Sequence, residues 1–288
     1  MGALGLLSLG FAPGLLWLWL IVRRSRHRPE PRSLIIRTFL LGVAVAVPIV
    51  LVEALVGGQG GSSASRAAPM TPEAAAFAAF AVAGLCEEIG KLWVVHASLR
   101  RSPYLDDPLR GLIFSSAVAL GFSSIENVEY MVMYGAEVIV VRAVLCTLGH
   151  VMFSSFWGFA LGWAHLHPGR GRVALVVGVT AAIAAHGLYD YFLMVGDSGS
   201  SLFVFAAGTV LFLLLLSRSR SASQAAHATL AILSCRSCGV AAPTNAAFCP
   251  GCGSRFGAEA ARHCGRCKAA LPKTAVFCPN CGGSVAAS

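Results

Sequence analysis

The chain has 288 residues, 56% of them hydrophobic and only 12% charged, with a formal net charge of +9 and a mean hydropathy of +0.72. A soluble domain carries roughly twice that charged fraction, so the composition excludes an ordinary soluble enzyme. The positive charge alone could suggest nucleic acid, but its distribution along the chain reads first as membrane topology.

Windows of about 20 residues with almost no charge are long enough to cross the roughly 30 Å hydrocarbon core as helices. They fall near 3–22, 34–56, 72–98, 109–133, 138–165, 173–195 and 201–217. The expected fold is therefore an all-α polytopic membrane protein of about seven transmembrane helices. The first segment has no basic residue before it and a basic run after it, the reverse of a cleavable signal peptide, and reads as a retained anchor. Arg23, Arg24, Arg26, Arg28 and Arg32 fill the first loop, and Arg100, Arg101 and Arg110 the third. Arg170 and Arg172 lie in the fifth, and Arg218 and Arg220 follow the last span. The intervening loops hold almost no Lys or Arg, Arg66 being the exception. Short cytoplasmic loops collect Lys and Arg, so the amino terminus is expected outside and the carboxyl terminus in the cytoplasm.

Between the second and third spans, GGQGGSSASRAAP (57–69) reads as an external loop, with Pro-Glu at 72–73 as a helix start. The turn-like GDSGS (196–200) joins the last two spans into an expected hairpin. The membrane domain is assigned to 1–217, a polar cytoplasmic linker to 218–233 and a different chemistry to 234–288. There, Cys235, Cys238, Cys249 and Cys252 form two CxxC pairs, and Cys264, Cys267, Cys278 and Cys281 repeat the spacing 29 residues later. Each unit supplies the four thiolates of a closed structural zinc site. A reducing cytosol disfavours the disulfide alternative. The pattern resembles a double zinc ribbon, two small modules with one zinc ion each. A module of about 25 residues cannot bury a sufficient core without such a staple. The tail holds six Lys/Arg against one Glu. Eight thiolates around two zinc ions reduce that surplus to about +1, which is no nucleic-acid footprint. A cytoplasmic protein partner suits it better.

The informative anomaly is GLCEEIGKLWVV (84–95), with Glu87, Glu88 and Lys91 at the centre of a membrane span. Ionisable groups there cost about 2.5–3.5 kcal/mol on insertion scales and normally face a bundle interior. Glu87 and Lys91 are i,i+4, and Glu88 and Lys91 are i,i+3, so a plain ion pair that locks helices is one reading. The neighbouring spans weaken it. GFSSIENVEY (121–130) carries Glu126 and Asn127, GHVMFSSFWG (149–158) carries His150, and AAHGLYDYF (184–192) carries His186 and Asp190. By helix rise each lies roughly 15–25 Å inside its span, so four successive helices bring acids, imidazoles and an amide to similar depth.

Three chemistries could use such a cluster. A carboxylate could activate water for peptide hydrolysis, with imidazole and amide groups on the oxyanion. His150, His186 and a carboxylate could hold a catalytic divalent metal such as zinc. A carboxylate–histidine chain could conduct protons or ions. No HExxH, GxSxG or GxGD motif is present. Cys86 and Cys146 read as small apolar fillers.

In order and on successive helices, EEIGK, FSSIEN, HVMFSSFWG and HGLYD resemble a PrsW-type intramembrane protease, related to the CAAX-prenyl endopeptidases, over about residues 30–215. The resemblance implies proteolysis of a membrane-anchored substrate within the bilayer, an anti-sigma factor being typical. By that similarity Glu87 and Glu88 match the glutamate pair, Glu126 the acidic residue of the FxxxE motif, and His150 and His186 the histidines. CAAX-type relatives usually have His where Glu126 stands and often Asn where Asp190 stands. An ionised Asp190 cannot donate to an oxyanion and is better suited to orient His186 or ligate a metal. The resemblance implies either a metallo- or a glutamate-type mechanism. Glu87 is favoured here as base, with Glu88 as second acid or metal ligand, His150 and His186 as water-activating, oxyanion or metal groups, and Lys91 and Asn127 in support. The runner-up function is a non-catalytic membrane sensor or scaffold with partner-recruiting ribbons. A transporter ranks third, since no repeat suggests inverted halves.

Overall fold

The computed structural model describes residues 2–24, 31–57, 70–99, 102, 104–167 and 169–228. In the tail it describes 232–235, 237–243, 248–249, 251–255, 262–263, 267 and 270–271. Two compact units, Met1–Gln224 and Ala225–Ser288, make up the chain.

Six helices of the first unit contain apolar stretches long enough to cross a bilayer: α1 (Ala3–Arg24), α2 (Arg32–Gly57), α5 (Pro108–Tyr134), α7 (Leu145–Leu166), α8 (Gly171–Met194) and α9 (Ser198–Ala228). The seventh expected span is also helical, but in three pieces. It runs as α3 (Pro72–Ala76), a π-helical segment (Phe77–Glu87) and α4 (Glu88–Leu99). Its start follows the local chemistry: Thr71 accepts from the Ala74 amide at 3.4 Å, and Pro72 occupies the first helical position. Asp107 caps α5 in the same way, accepting from the Arg110 amide at 2.9 Å.

The fifth expected span, 138–165, is shorter than its apolar run suggests. Gly135, at φ 101°, ends α5. A 3-10 turn (Ala136–Val138) and the short α6 (Ile139–Arg142) follow before α7 starts at Leu145. The break brings Arg142 inward to a buried ion pair with Glu126, which an apolar count cannot foresee.

Helix α5 is buried over most of its length and packs against α1, α2 and α7, while α8 packs against α7 and the π segment. At the α5–α7 crossing, a Cβ on Gly111 would lie 2.0 Å from the Gly158 carbonyl oxygen, so only glycine permits the approach. The Gly158–Gly162 spacing is thus a helix-packing motif in use. Phe114, Val118 and Trp157 fill the core beside that crossing. Leu40, Val173, Val177, Phe203 and Val210 point outward and exposed, as a bilayer-facing surface requires. Gly196, at φ 83°, turns the chain between α8 and α9, and Ser201 donates to the Tyr189 carbonyl at 3.1 Å. Helix α9 continues through Ala228, over much of the stretch read as a linker.

In the second unit, β1 (Ile232–Ser234) pairs antiparallel with β2 (Ala241–Pro243), and β3 (Arg262–His263) with β4 (Ala270–Leu271). Cys235, Cys238, Cys249 and Cys252 converge. Sulfur separations of 3.6 Å (Cys235–Cys252) and 3.5 Å (Cys238–Cys249) approach the spacing of about 3.8 Å expected on a tetrahedral zinc with Zn–S near 2.3 Å. Gly239 and Gly253, at φ 71° and 70°, close the two CxxC knuckles, their amides donating to the carbonyls of Cys235 and Cys249. The four-thiolate set fits one zinc ion. Of the second set, Cys267 is described, while Cys264, Cys278 and Cys281 lie outside the described residues.

A buried carboxylate–histidine–lysine cluster

The π segment ends at Glu87 and α4 begins at Glu88. A wider turn shifts the register of the helix faces, and π turns often occur at functional sites. Helix α8 can lie close because its Gly187 leaves no room for a side chain: a Cβ there would be 2.4 Å from the Phe80 ring. His186, next in sequence, is thereby set against Glu88.

Glu88 is fully buried and saturated. Its Oε1 accepts from Lys91 Nζ at 2.9 Å and from His186 Nδ1 at 3.0 Å. Its Oε2 accepts from Ser154 Oγ at 2.8 Å and Trp157 Nε1 at 2.9 Å. Four donors fill the acceptor sites of one carboxylate. Glu87 differs. Its Oε2 accepts from Lys91 at 2.8 Å, and that oxygen lies 3.5 Å from His150 Nδ1 and 3.9 Å from His186 Nε2.

Lys91 is 0% exposed. Its three N–H bonds match three acceptors: Glu87, Glu88, and His150 Nδ1 at 3.0 Å. The Phe122 ring lies below, 4.3 Å from the ammonium to its centroid, a cation–π contact. An ammonium only donates, so Nδ1 of His150 is an acceptor. The proton of a neutral His150 is then on Nε2, which donates to Glu126 Oε2.

Glu126 is held from its other oxygen by Arg142 at 3.0 Å. Arg142 also donates from Nε to Asn127 Oδ1 at 2.9 Å and lies 3.8 Å above the Tyr130 ring. Asn127 Nδ2 donates to Thr147 at 3.1 Å, so its amide is committed to that support. Asp190 Oδ2 sits 3.4 Å from His186 Nε2. Glu53, on α2, lies within hydrogen-bonding reach of Glu87. Its Oε1 is buried without a partner.

The structure thus brings Glu87, Glu88, Lys91, Glu126, His150, His186 and Asp190 together, with Asn127 one contact further out. The contributors to the cluster sit at different distances from their helix ends: Glu87 is 15 residues beyond Pro72 and His186 15 beyond Gly171. His150 is five residues from the start of α7, about 8 Å, because α7 begins later than its apolar run. Asp190 is four residues from the end of α8. A cavity of about 300 Å³ borders it, lined among others by Glu126, Tyr130, Arg142, His150, His186 and Asp190.

Sequence reasoning passed over Ser154, Trp157, Arg142 and Glu53. Ser154 and Trp157 follow His150 at i+4 and i+7, on one helix face, which is a usable signal. Arg142 was a lone cation inside an apolar run, itself a signal. Glu53 closes an apolar run at its end, where a charge calls for no explanation.

As a metal centre, Glu87, Glu88, His150 and His186 offer suitable N and O donors, with ligand atoms within 4.8 Å of one another. The fit fails on Lys91. Its ammonium already holds Glu87, Glu88 and the lone pair of His150, and Glu88 has no acceptor site left.

Comparison with known proteins gives a family model described as "PrsW family intramembrane metalloprotease" over residues 30–217, and a double zinc ribbon over 235–282. A protein named "Protease PrsW" from Geobacillus kaustophilus is 32% identical, over 66% of this chain and 80% of that one. Proteins of the same name from Bacillus subtilis (28% identical; 65% of this chain, 82% of that one) and Clostridioides difficile (29%; 67% and 80%) are similar. No solved structure matches.

Proposed function

Because the chain belongs to the PrsW family of intramembrane proteases, we propose that it hydrolyses a peptide bond of a membrane-anchored protein, in the manner of an anti-sigma factor, with Glu87 as the water-activating base. The observation that carries the assignment is the unequal saturation of two adjacent carboxylates. Glu88 accepts four hydrogen bonds, whereas Glu87 accepts one short bond from Lys91 and, even with Glu53 within reach of it, keeps acceptor capacity for a water.

In this reading Glu87 takes a proton from water as the water oxygen bonds to the scissile carbonyl carbon. The carbonyl π pair moves onto oxygen, and the resulting oxyanion accepts from Nε2–H of His186, which acts as the imidazolium with its Nδ1–H on Glu88. Glu87 then delivers its proton to the amide nitrogen as the C–N bond breaks. Glu88 orients His186 through Nδ1, and Asp190 favours a proton on Nε2. His150 ties Lys91 to Glu126. The cavity beside His186 accommodates an extended stretch of substrate. The topology proposed is amino terminus outside and zinc ribbons in the cytoplasm, where they recruit a protein partner, with a second zinc ion on Cys264, Cys267, Cys278 and Cys281.

The test compares Glu87→Gln with Glu88→Gln on a single-span reporter. The first should lose turnover while keeping its melting temperature, and the second should lose both. Equal melting losses with turnover retained by the folded fraction of each would return the cluster to a structural network and favour a scaffold.

A further inference from the structure

We propose that Lys91 is the resident cation of the cluster and that, while it is present, it excludes a divalent metal ion. This inference uses the same residues as the protease reading but concerns what fills their centre.

Three observations converge. The ammonium has three donors, and all three are used at 2.8, 2.9 and 3.0 Å on Glu87, Glu88 and His150. Those are three of the four residues that could ligate a metal, so ion and ammonium need the same lone pairs. A dication on those ligands would sit beside a second buried positive charge in a medium that screens poorly. Lys91 also has no ready alternative position, being enclosed with the Phe122 ring against it and no exposure to solvent. The side chain therefore supplies the positive charge that a metal supplies elsewhere: it neutralises one of two adjacent carboxylates and fixes the tautomer of His150. His150 is a positioning residue in consequence, its Nδ1 lone pair being unavailable to water.

Zinc per chain, measured by elemental mass spectrometry on full-length purified protein, tests this. Wild type, Glu87→Gln and His186→Ala should carry the same amount, that of the ribbons alone. Lys91→Met, which keeps length and removes the charge, should gain about one zinc ion per chain. More zinc in wild type than in Glu87→Gln and His186→Ala overturns the proposal, as does a folded Lys91→Met protein with no gain. Should Lys91→Met fail to fold, the wild-type comparison decides alone. Reporter cleavage by the same preparations separates the two claims. Extra zinc in a cleaving wild type defeats this inference and leaves the protease reading standing. A folded wild type without extra zinc that cleaves nothing defeats the protease reading and leaves this one.

Discussion

At the scale of residues, the division of labour between Glu87 and Glu88 depends on who donates to whom. Ser154 and Trp157 both reach Glu88 Oε2, and a hydrogen bond to a charged group contributes about 1.5–3 kcal/mol. Ser154→Ala and Trp157→Phe should each lower stability in detergent by that order, read from denaturant or thermal unfolding. Turnover by the folded fraction should fall far less than in Glu87→Gln. The Arg142–Glu126 pair is buried on both sides, and removing one partner of such a pair costs about 3–5 kcal/mol. Arg142→Ala should therefore be among the most destabilising single changes in the cluster. An unchanged melting temperature would count against the supporting role assigned to it. The acids and histidines were legible because ionisable groups are rare in apolar spans. Ser154 and Trp157 were harder to see because neutral donors are ordinary in a membrane helix. Asn127 was read in support of the site, but its partners Thr147 and Arg142 were visible only in side-chain geometry.

At the scale of elements, two glycine approaches hold the cluster's helices together, one of them Gly111 against Gly158 between α5 and α7. Gly187 admits the Phe80 ring and so holds α8 against the π segment. Gly187→Leu should push His186 from Glu88 and abolish cleavage while the zinc ribbons keep their metal. Normal cleavage by that variant would show the approach to be incidental. The long helices were readable because bilayer thickness sets their length, and the third span was readable as a helix for the same reason. Its π segment was not, since a shift of hydrogen-bond register leaves no mark on hydropathy. The gap after 133 was legible and Gly135 closes it, but its extension to 144 was not, because Val138–Val141 are apolar and give no sign that Arg142 turns inward to Glu126.

At the scale of the molecule, His150 and Asp190 lie close to the helix ends that bear the 135–144 connection and the α8–α9 turn. The basic loops belong to the opposite end, so on the topology proposed above this end of the site faces outward. In intact cells, a cysteine introduced at Ser62 should be labelled by an impermeant reagent, and one at Ser223 should not. The reverse result would invert the topology. The first zinc ribbon follows a polar stretch, and its four cysteines converge in a set that fits one zinc ion. Cys238→Ser with Cys252→Ser should therefore lower zinc content while leaving cleavage of a detergent-solubilised substrate largely intact.

The central claim is that Glu87 activates water for peptide hydrolysis within the membrane domain. Its most direct test is turnover of a purified single-span reporter by wild type and by Glu87→Gln, with products located by mass spectrometry. The account predicts one cut toward the outer end of the reporter's span and a loss of about 10²–10⁴ in rate on Glu87→Gln, with folding preserved. Wild-type turnover by Glu87→Gln would contradict it.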